Sequence, residues 1–356
     1  MLNAFLPSRA SPTFRLCPVR MKDAAHGHDR SRALLAVGIA LIAALFFTMT
    51  YVLNRVSATG GGHWAWTACL RYFITLPMLL PLMPSQGGIA PVWRAMMAHP
   101  WAWIRCSVIG FLLFYCLLSF AASSGPSWLI AGSFQFTVIA GMLCAPFIYR
   151  DNRKRIPLAA VAIAIAILAG VLMMQLGHGS GPMDAAAWIA LICVLISAVA
   201  YPLGNRLLLV HLERTGESLN ATQRVFGLTL ASQPLWGLVA VFAWWQAGVP
   251  SSGQVWLAAG VALSAGVIAT ILFFQATGMV RSQPVALGAA EAMQAAELLF
   301  AMVLGVLFLH ESWPQGLALG GAALVTLGIV AFAILVARPS GEERRKLKAL
   351  RSDRGA

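Results

Sequence analysis

The sequence predicts an all-α polytopic membrane protein: ten transmembrane helices, arranged as two inverted five-helix repeats, with both termini cytoplasmic. Composition, span length and charge placement lead to this class. The chain of 356 residues is 59% hydrophobic and only 10% charged, and its mean hydropathy is +0.77, whereas soluble domains carry about 25% charged residues. Ten apolar stretches each approach the ~20 residues a helix needs to cross about 30 Å of hydrocarbon.

Charge placement sets the topology. A net charge of +13 would point to nucleic acid in a soluble protein. Here, with the N-terminus inside, 22 of the 25 Lys and Arg residues fall on inner segments. Arg206 and Arg214 are counted there, with the run Arg150–Arg155. Only Arg55 sits on an outer loop, while Arg71 and Arg224 lie within apolar spans. Moving one span would put Arg150–Arg155 outside, against the positive-inside rule. The basic balance is therefore a topology signal, and no nucleic-acid partner is expected.

Residues 1–32 are polar and basic, and carry neither the apolar core nor the cleavage site of a signal peptide. Met21 opens a more typical lead-in, so residues 1–20 are expected to be an extension from start-codon choice. The first repeat, 33–176, holds spans at Ala33–Leu53, His63–Met83, Trp101–Ala121, Ser127–Tyr149 and Ile156–Leu176. The second, 185–337, holds Ala185–Leu209, Ala221–Trp245, Val255–Thr277, Pro284–Leu309 and Gly316–Ala337. Breakers separate them, as in Ser57–Gly62 (SATGGG) and Ala247–Gly253 (AGVPSSG). The tail, 338–356, is a solvated basic segment on the cytoplasmic side.

The halves resemble each other. Ile39–Arg55 aligns with Ile189–Arg206, matching Ile39/Ile189, Leu41/Leu191, Tyr51/Tyr201 and Leu53/Leu203. A one-residue insertion then pairs Asn54–Arg55 with Asn205–Arg206. The second and seventh spans share Arg-x-Phe, and Gln135 is the approximate counterpart of Gln294. A repeat of five spans has an odd count, so the second copy enters the membrane inverted, with a site expected near the midplane.

The ninth span carries Glu291, Gln294 and Glu297 in its first half. Three-residue spacing places them on one helical face, over roughly a 120° arc. Acids at bilayer depth cost roughly 2.5–3.5 kcal/mol on insertion scales, so they face protein or a water-filled cavity. Each is either a structural ion pair or a group that binds a proton or cationic solute. Arg71 and Arg224 either cap neighbouring helix carbonyls, line the cavity, or pair with one of the acids; the sequence leaves the pairing open. Tyr51, Tyr201, Asn205, Tyr115 and Gln275 are candidate polar lining or interhelical hydrogen bonds. Trp64 and Trp66 belong to an aromatic belt or to an aromatic wall for a cation. Small residues at Ala162, Ala166 and Gly170, and at Gly316 and Gly320, point to close helix packing and a homodimer contact.

Chemistry beyond transport finds no motif. No phosphate loop, His-Glu-x-x-His or Gly-x-Ser-x-Gly occurs, and the cysteines have no paired or metal-ligand spacing. His310–Glu311 stands side by side at a span end, which reads as a loop. No cofactor and no metal is expected.

With Leu70–Phe73 (LRYF), Gln135–Thr137, Tyr201–Pro202 with Asn205, Gln223–Arg224 and the Glu291-to-Glu297 helix, the chain resembles the drug/metabolite transporter superfamily. Within it, the ten-span multidrug resistance efflux transporters are most similar, over roughly Ala33 to Ala337. The resemblance implies a multi-pass inner-membrane carrier working by alternating access, with a small-molecule substrate and no covalent catalysis. One departure stands out. The four-span exporters of that superfamily use a first-span Glu, and Ala33–Leu53 contains no acid. Proton coupling would then fall to Glu291 or Glu297. The expected function is export of small organic or amphipathic solutes. A metabolite uptake or exchange carrier is the alternative, followed by a membrane-embedded enzyme or an accessory membrane subunit.

Overall fold

The computed structural model describes residues 18–124, 127–176, 185–309, 313 and 315–337. Residues 1–17, Asp184, His310–Glu311, Pro314 and the basic tail lie outside them. The helices are α1 (Pro18–Thr59), α2 (Trp64–Leu79), α3 (Ala90–Ala98), α4 (Pro100–Ser107), α5 (Phe114–Ser124), α6 (Ser127–Phe134), α7 (Thr137–Ile148) and α8 (Leu158–Leu176). They continue as α9 (Ala185–Thr215), α10 (Ala221–Ala247), α11 (Ser252–Val261), α12 (Thr270–Met279), α13 (Pro284–Ala292), α14 (Ala296–Leu309) and α15 (Gly316–Ala337).

Among the described residues, nine helical stretches are long and apolar enough to cross a membrane, and a shorter apolar one covers Gly132–Ile148. The shorter one corresponds to the span expected at Ser127–Tyr149, which is interrupted. Around Gln135 the backbone tightens: the amides of Gln135, Phe136 and Val138 bond carbonyls three residues back, at Gly132, Ser133 and Gln135. The Pro284–Leu309 span is interrupted in the same way by a 3₁₀ turn at Met293–Ala295, centred on Gln294. A second likeness joins other segments. The helix from α4 to α5 passes through a π-helical segment at Val108–Leu113, and that from α11 to α12 through one at Ala262–Ala269.

Small residues set the closest crossings. Gly110, in the first π segment, meets Gly204 of α9 so tightly that a Cβ on either would collide with the other's backbone. α8 and α15 pack along their length, with Gly170 and Gly321 each lying against the other's carbonyl oxygen. The expected close packing of these two helices is present, with Gly170 of the expected residues at the crossing beside Gly321. Ala164, Ile167, Gly170, Ala318 and Gly321 are buried, while Ala162, Gly316 and Gly320 face outward. Large apolar side chains also face outward, among them Phe147 at 91% exposure and Trp101 and Leu158 at 80%. In water such a surface would be an aggregation liability, and in lipid it is the matched solvent.

Candidate functional site

Residues from both halves of the chain enclose a cavity of about 20 Å³. Phe47, Thr50 and Tyr51 reach it from one side of α1, as their three- and four-residue spacing allows. Arg71 comes from α2, Phe114 and Leu118 from α5, Phe134 from α6 and Tyr201 from α9; Gln294 and Glu297 close it. About 10–15 Å³ suffices for one water molecule, whereas sites for drug-sized ligands span roughly 300–1,000 Å³. This conformation is therefore closed around the site.

Glu297 is 2% exposed. Its carboxyl accepts a hydrogen bond from the Tyr51 hydroxyl, and among the described residues no Lys, Arg or His nitrogen comes within 4.0 Å of it. Arg71 is equally deep. Its guanidinium lies over the Tyr115 ring, 4.1 Å from the centroid, and its Nε has no hydrogen-bond partner. Asn54 Nδ2 donates to Tyr115 Oη at 3.1 Å, steadying that ring. An acidic and a basic side chain thus share one small chamber without forming an ion pair.

The chamber's walls are aromatic. Tyr201 stacks on Phe273 at 5.5 Å, lies 4.7 Å from Phe114, and meets Phe47 edge-on at 6.1 Å. Tyr201 and Gln294 are within reach of each other. Even so, neither Tyr201 Oη nor Gln294 Oε1 has a well-formed partner, and neither has Thr50 Oγ1. Buried polar atoms normally find partners in protein, water or ligand, so a group of unsatisfied ones around one void marks a place for an occupant.

Glu291 belongs elsewhere. Arg206 Nε and Nη2 donate to its Oε1 and Oε2 at 2.9 and 2.8 Å, with both side chains at most 3% exposed. Gly141 of α7 makes room for the pair; a Cβ there would run into the Glu291 carboxylate. Of the alternatives open to the two acids, Glu291 takes the structural ion pair. Gln294 and Glu297 line the chamber, and Glu291 points to the α7–α9 contact. Arg206 is corrected: it is a buried residue of α9 rather than an inner-loop charge. The sequence signal was its position inside the span Ala185–Leu209, aligned with Asn54–Arg55.

Arg224 meets neither acid. Its Nη2 donates to the Phe274 carbonyl at 2.6 Å and its Nη1 to Asn205 Oδ1 at 3.4 Å, while Asn205 Nδ2 donates to Thr277 Oγ1 at 3.0 Å. Of the three roles open to this arginine, carbonyl capping is seen, with Asn205 as its support, and pairing with Glu291 or Glu297 is not. Trp66 donates its indole N–H to the Gly248 carbonyl at 2.9 Å, away from the chamber. Gln135 is buried at its helix break beside Phe134. A further ionic group ties separate segments: Arg153 bonds Glu213 at 3.1 and 2.9 Å, and Arg281 reaches the same Glu213 at 3.2 Å. Arg153 also holds the exposed Asp151 carboxyl below its usual range by direct hydrogen bonding.

Comparison with known proteins places this geometry in a family. Residues 33–338 match a family profile described as "EmrE: Putative multidrug resistance efflux transporter". YjlA of Bacillus subtilis (strain 168), an uncharacterized protein, is 37% identical over 325 residues, covering 88% of this chain and 99% of YjlA. An uncharacterized 42.1 kDa protein of Shouchella clausii is 34% identical over 261 residues, covering 72% of this chain and 68% of that protein. A solved crystal structure shares the fold at a TM-score of 0.65 with 16% identity, covering 85% of this chain and 97% of its own.

Proposed function

This chain belongs to the multidrug resistance efflux transporter family, and from that premise we propose that it exports small organic, amphipathic solutes by alternating access across the cytoplasmic membrane. Glu297 is the group that exchanges a proton for the solute. One observation carries the reading: a buried carboxyl, hydrogen-bonded by Tyr51 but facing no cation within ion-pair distance, lines an aromatic chamber with unsatisfied polar atoms. A carboxylate in an apolar site needs a counter-charge, and a proton or a cationic solute each supplies one. The two occupants exclude each other at the same oxygens, which is the coupling. Phe47, Phe114 and Tyr201 would hold the solute's apolar body and give cation–π contact.

Ten spans in two inverted five-helix repeats, with both termini cytoplasmic, belong to the same proposal. The like breaks at Gln135 and Gln294 and the like π segments at Val108–Leu113 and Ala262–Ala269 support it. Arg206–Glu291 and the Arg153–Glu213–Arg281 group would latch the cytoplasmic end shut and part when the chamber opens inward. Arg71 favours a second reading, a carrier for metabolites bearing an anionic group, because its guanidinium reaches the chamber without a carboxylate partner.

Reconstitution in liposomes tests both. A pH gradient should drive a cationic dye in the wild type and fail to do so in Glu297→Gln. Full pH-driven transport in that variant would sink the exporter mechanism. Transport of an anionic metabolite that survives Glu297→Gln but is lost in Arg71→Gln would establish the second reading.

A further inference from the structure

A larger cavity, about 580 Å³, opens between Arg32 of α1, Gln86 in the turn beyond α2, the start of α10 and the last turns of α12. Its lining contains three arginines, Arg32, Arg224 and Arg281, and no acid. Arg281 has a partner in Glu213, outside the lining. Arg224, at the floor, is 3% exposed, and its contacts are neutral: a backbone carbonyl and the Asn205 amide oxygen. Its Nε has no partner, and no carboxylate among the described residues lies within 4.0 Å. A buried guanidinium whose charge nothing balances is an energetically costly arrangement that a bound anion relieves.

The surrounding backbone adds to the pull. α10 starts in the wall of this cavity with a capping box, in which Asn220 and Gln223 satisfy each other's amides. The next amides, at Ala221 and Thr222, have no acceptor within the helix, and the positive end of the helix dipole lies there. A helix start beside a planar, five-donor guanidinium is the arrangement that binds oxyanions. Gln275 and Ser282 in the same lining bring further donors.

We propose that this vestibule is a binding site for a phosphate-type oxyanion, with Arg224 as its principal donor and Arg32 and Arg281 at the rim. The site is separate from the Glu297 chamber and does not depend on the exporter reading. Its volume is several times that of one phosphate, so the anion is carried on a larger body, either a soluble phosphorylated solute or a lipid headgroup.

The test uses the full-length protein in phosphatidylcholine nanodiscs. Inorganic phosphate at millimolar levels, compared with chloride at equal ionic strength, should raise the unfolding midpoint by about 2 °C or more. Arg224→Gln should abolish the rise. Should that variant not fold, Arg32→Gln at the exposed rim should weaken the phosphate response. A rise produced only by phosphatidylglycerol in the disc, and lost in the same variants, assigns the site to a lipid headgroup. No rise with either probe, or one unchanged in both variants, overturns the proposal.

Discussion

Arg206 of α9 and Glu291 of α13 grip each other through two charge-assisted hydrogen bonds while both are almost wholly buried. Such pairs add little net stability, since desolvation offsets their attraction, but losing one partner strands a charge. Arg206→Ala is therefore expected to cost roughly 3–5 kcal/mol. The double variant Arg206→Met with Glu291→Leu should recover most of that loss. Thermal unfolding in one detergent, across the two singles and the double, gives the coupling directly.

Gly141 offers an independent check on the same contact. A side chain there collides with the Glu291 carboxylate, and overpacking costs roughly 1–3 kcal/mol. Gly141→Val should lower the unfolding midpoint in wild type and do so much less when Glu291 is already Leu. Equal losses in both backgrounds would show that the glycine serves helix packing alone.

Tyr51→Phe removes the Tyr51 hydrogen bond to the Glu297 carboxyl while keeping the ring. The expected stability change is small, about 0.5–1.5 kcal/mol. The pH profile of solute flux should move, because the hydroxyl stabilises one protonation state of Glu297 over the other. A profile superimposable on wild type would remove Tyr51 from the coupling.

Glu213 bridges Arg153 and Arg281 at partly exposed positions. Ion pairs of this kind are worth about 0–1 kcal/mol each and are screened by salt. Glu213→Gln should barely change the unfolding midpoint but should speed exchange between the two access states. Accessibility of a cysteine introduced at Thr50 to thiol reagents, in a variant lacking the native cysteines, measures that; an unchanged labelling rate would deny the latch.

What was legible in the sequence follows from what one-dimensional patterns encode. Membrane class needs only composition, and apolar spans need only length. The depth of Arg71, Glu291 and Glu297 follows from their neighbours along the chain, and all three are buried. Partner choice was not legible, because it depends on how many helices are rotated about one another, which spacing does not record. Arg206 sits near a span end, where a positive charge normally reads as topology. The helix breaks at Gln135 and Gln294 lack a proline or glycine at the break itself. The alignment of the two glutamines singled them out, together with the place of Gln294 between Glu291 and Glu297. Trp66 carried a plausible cation-binding pattern, yet it spends its indole N–H on a backbone carbonyl.

The chamber's size has an electrical consequence. Proton conduction through a protein needs an unbroken file of waters or hydroxyls across about 30 Å, and a void with room for about one water does not supply one. Each elementary charge that slips across a membrane at 100 mV dissipates about 2.3 kcal/mol. A carrier whose Glu297 chamber holds about one water between aromatic side chains can sit idle in an energised membrane at high copy number without short-circuiting it.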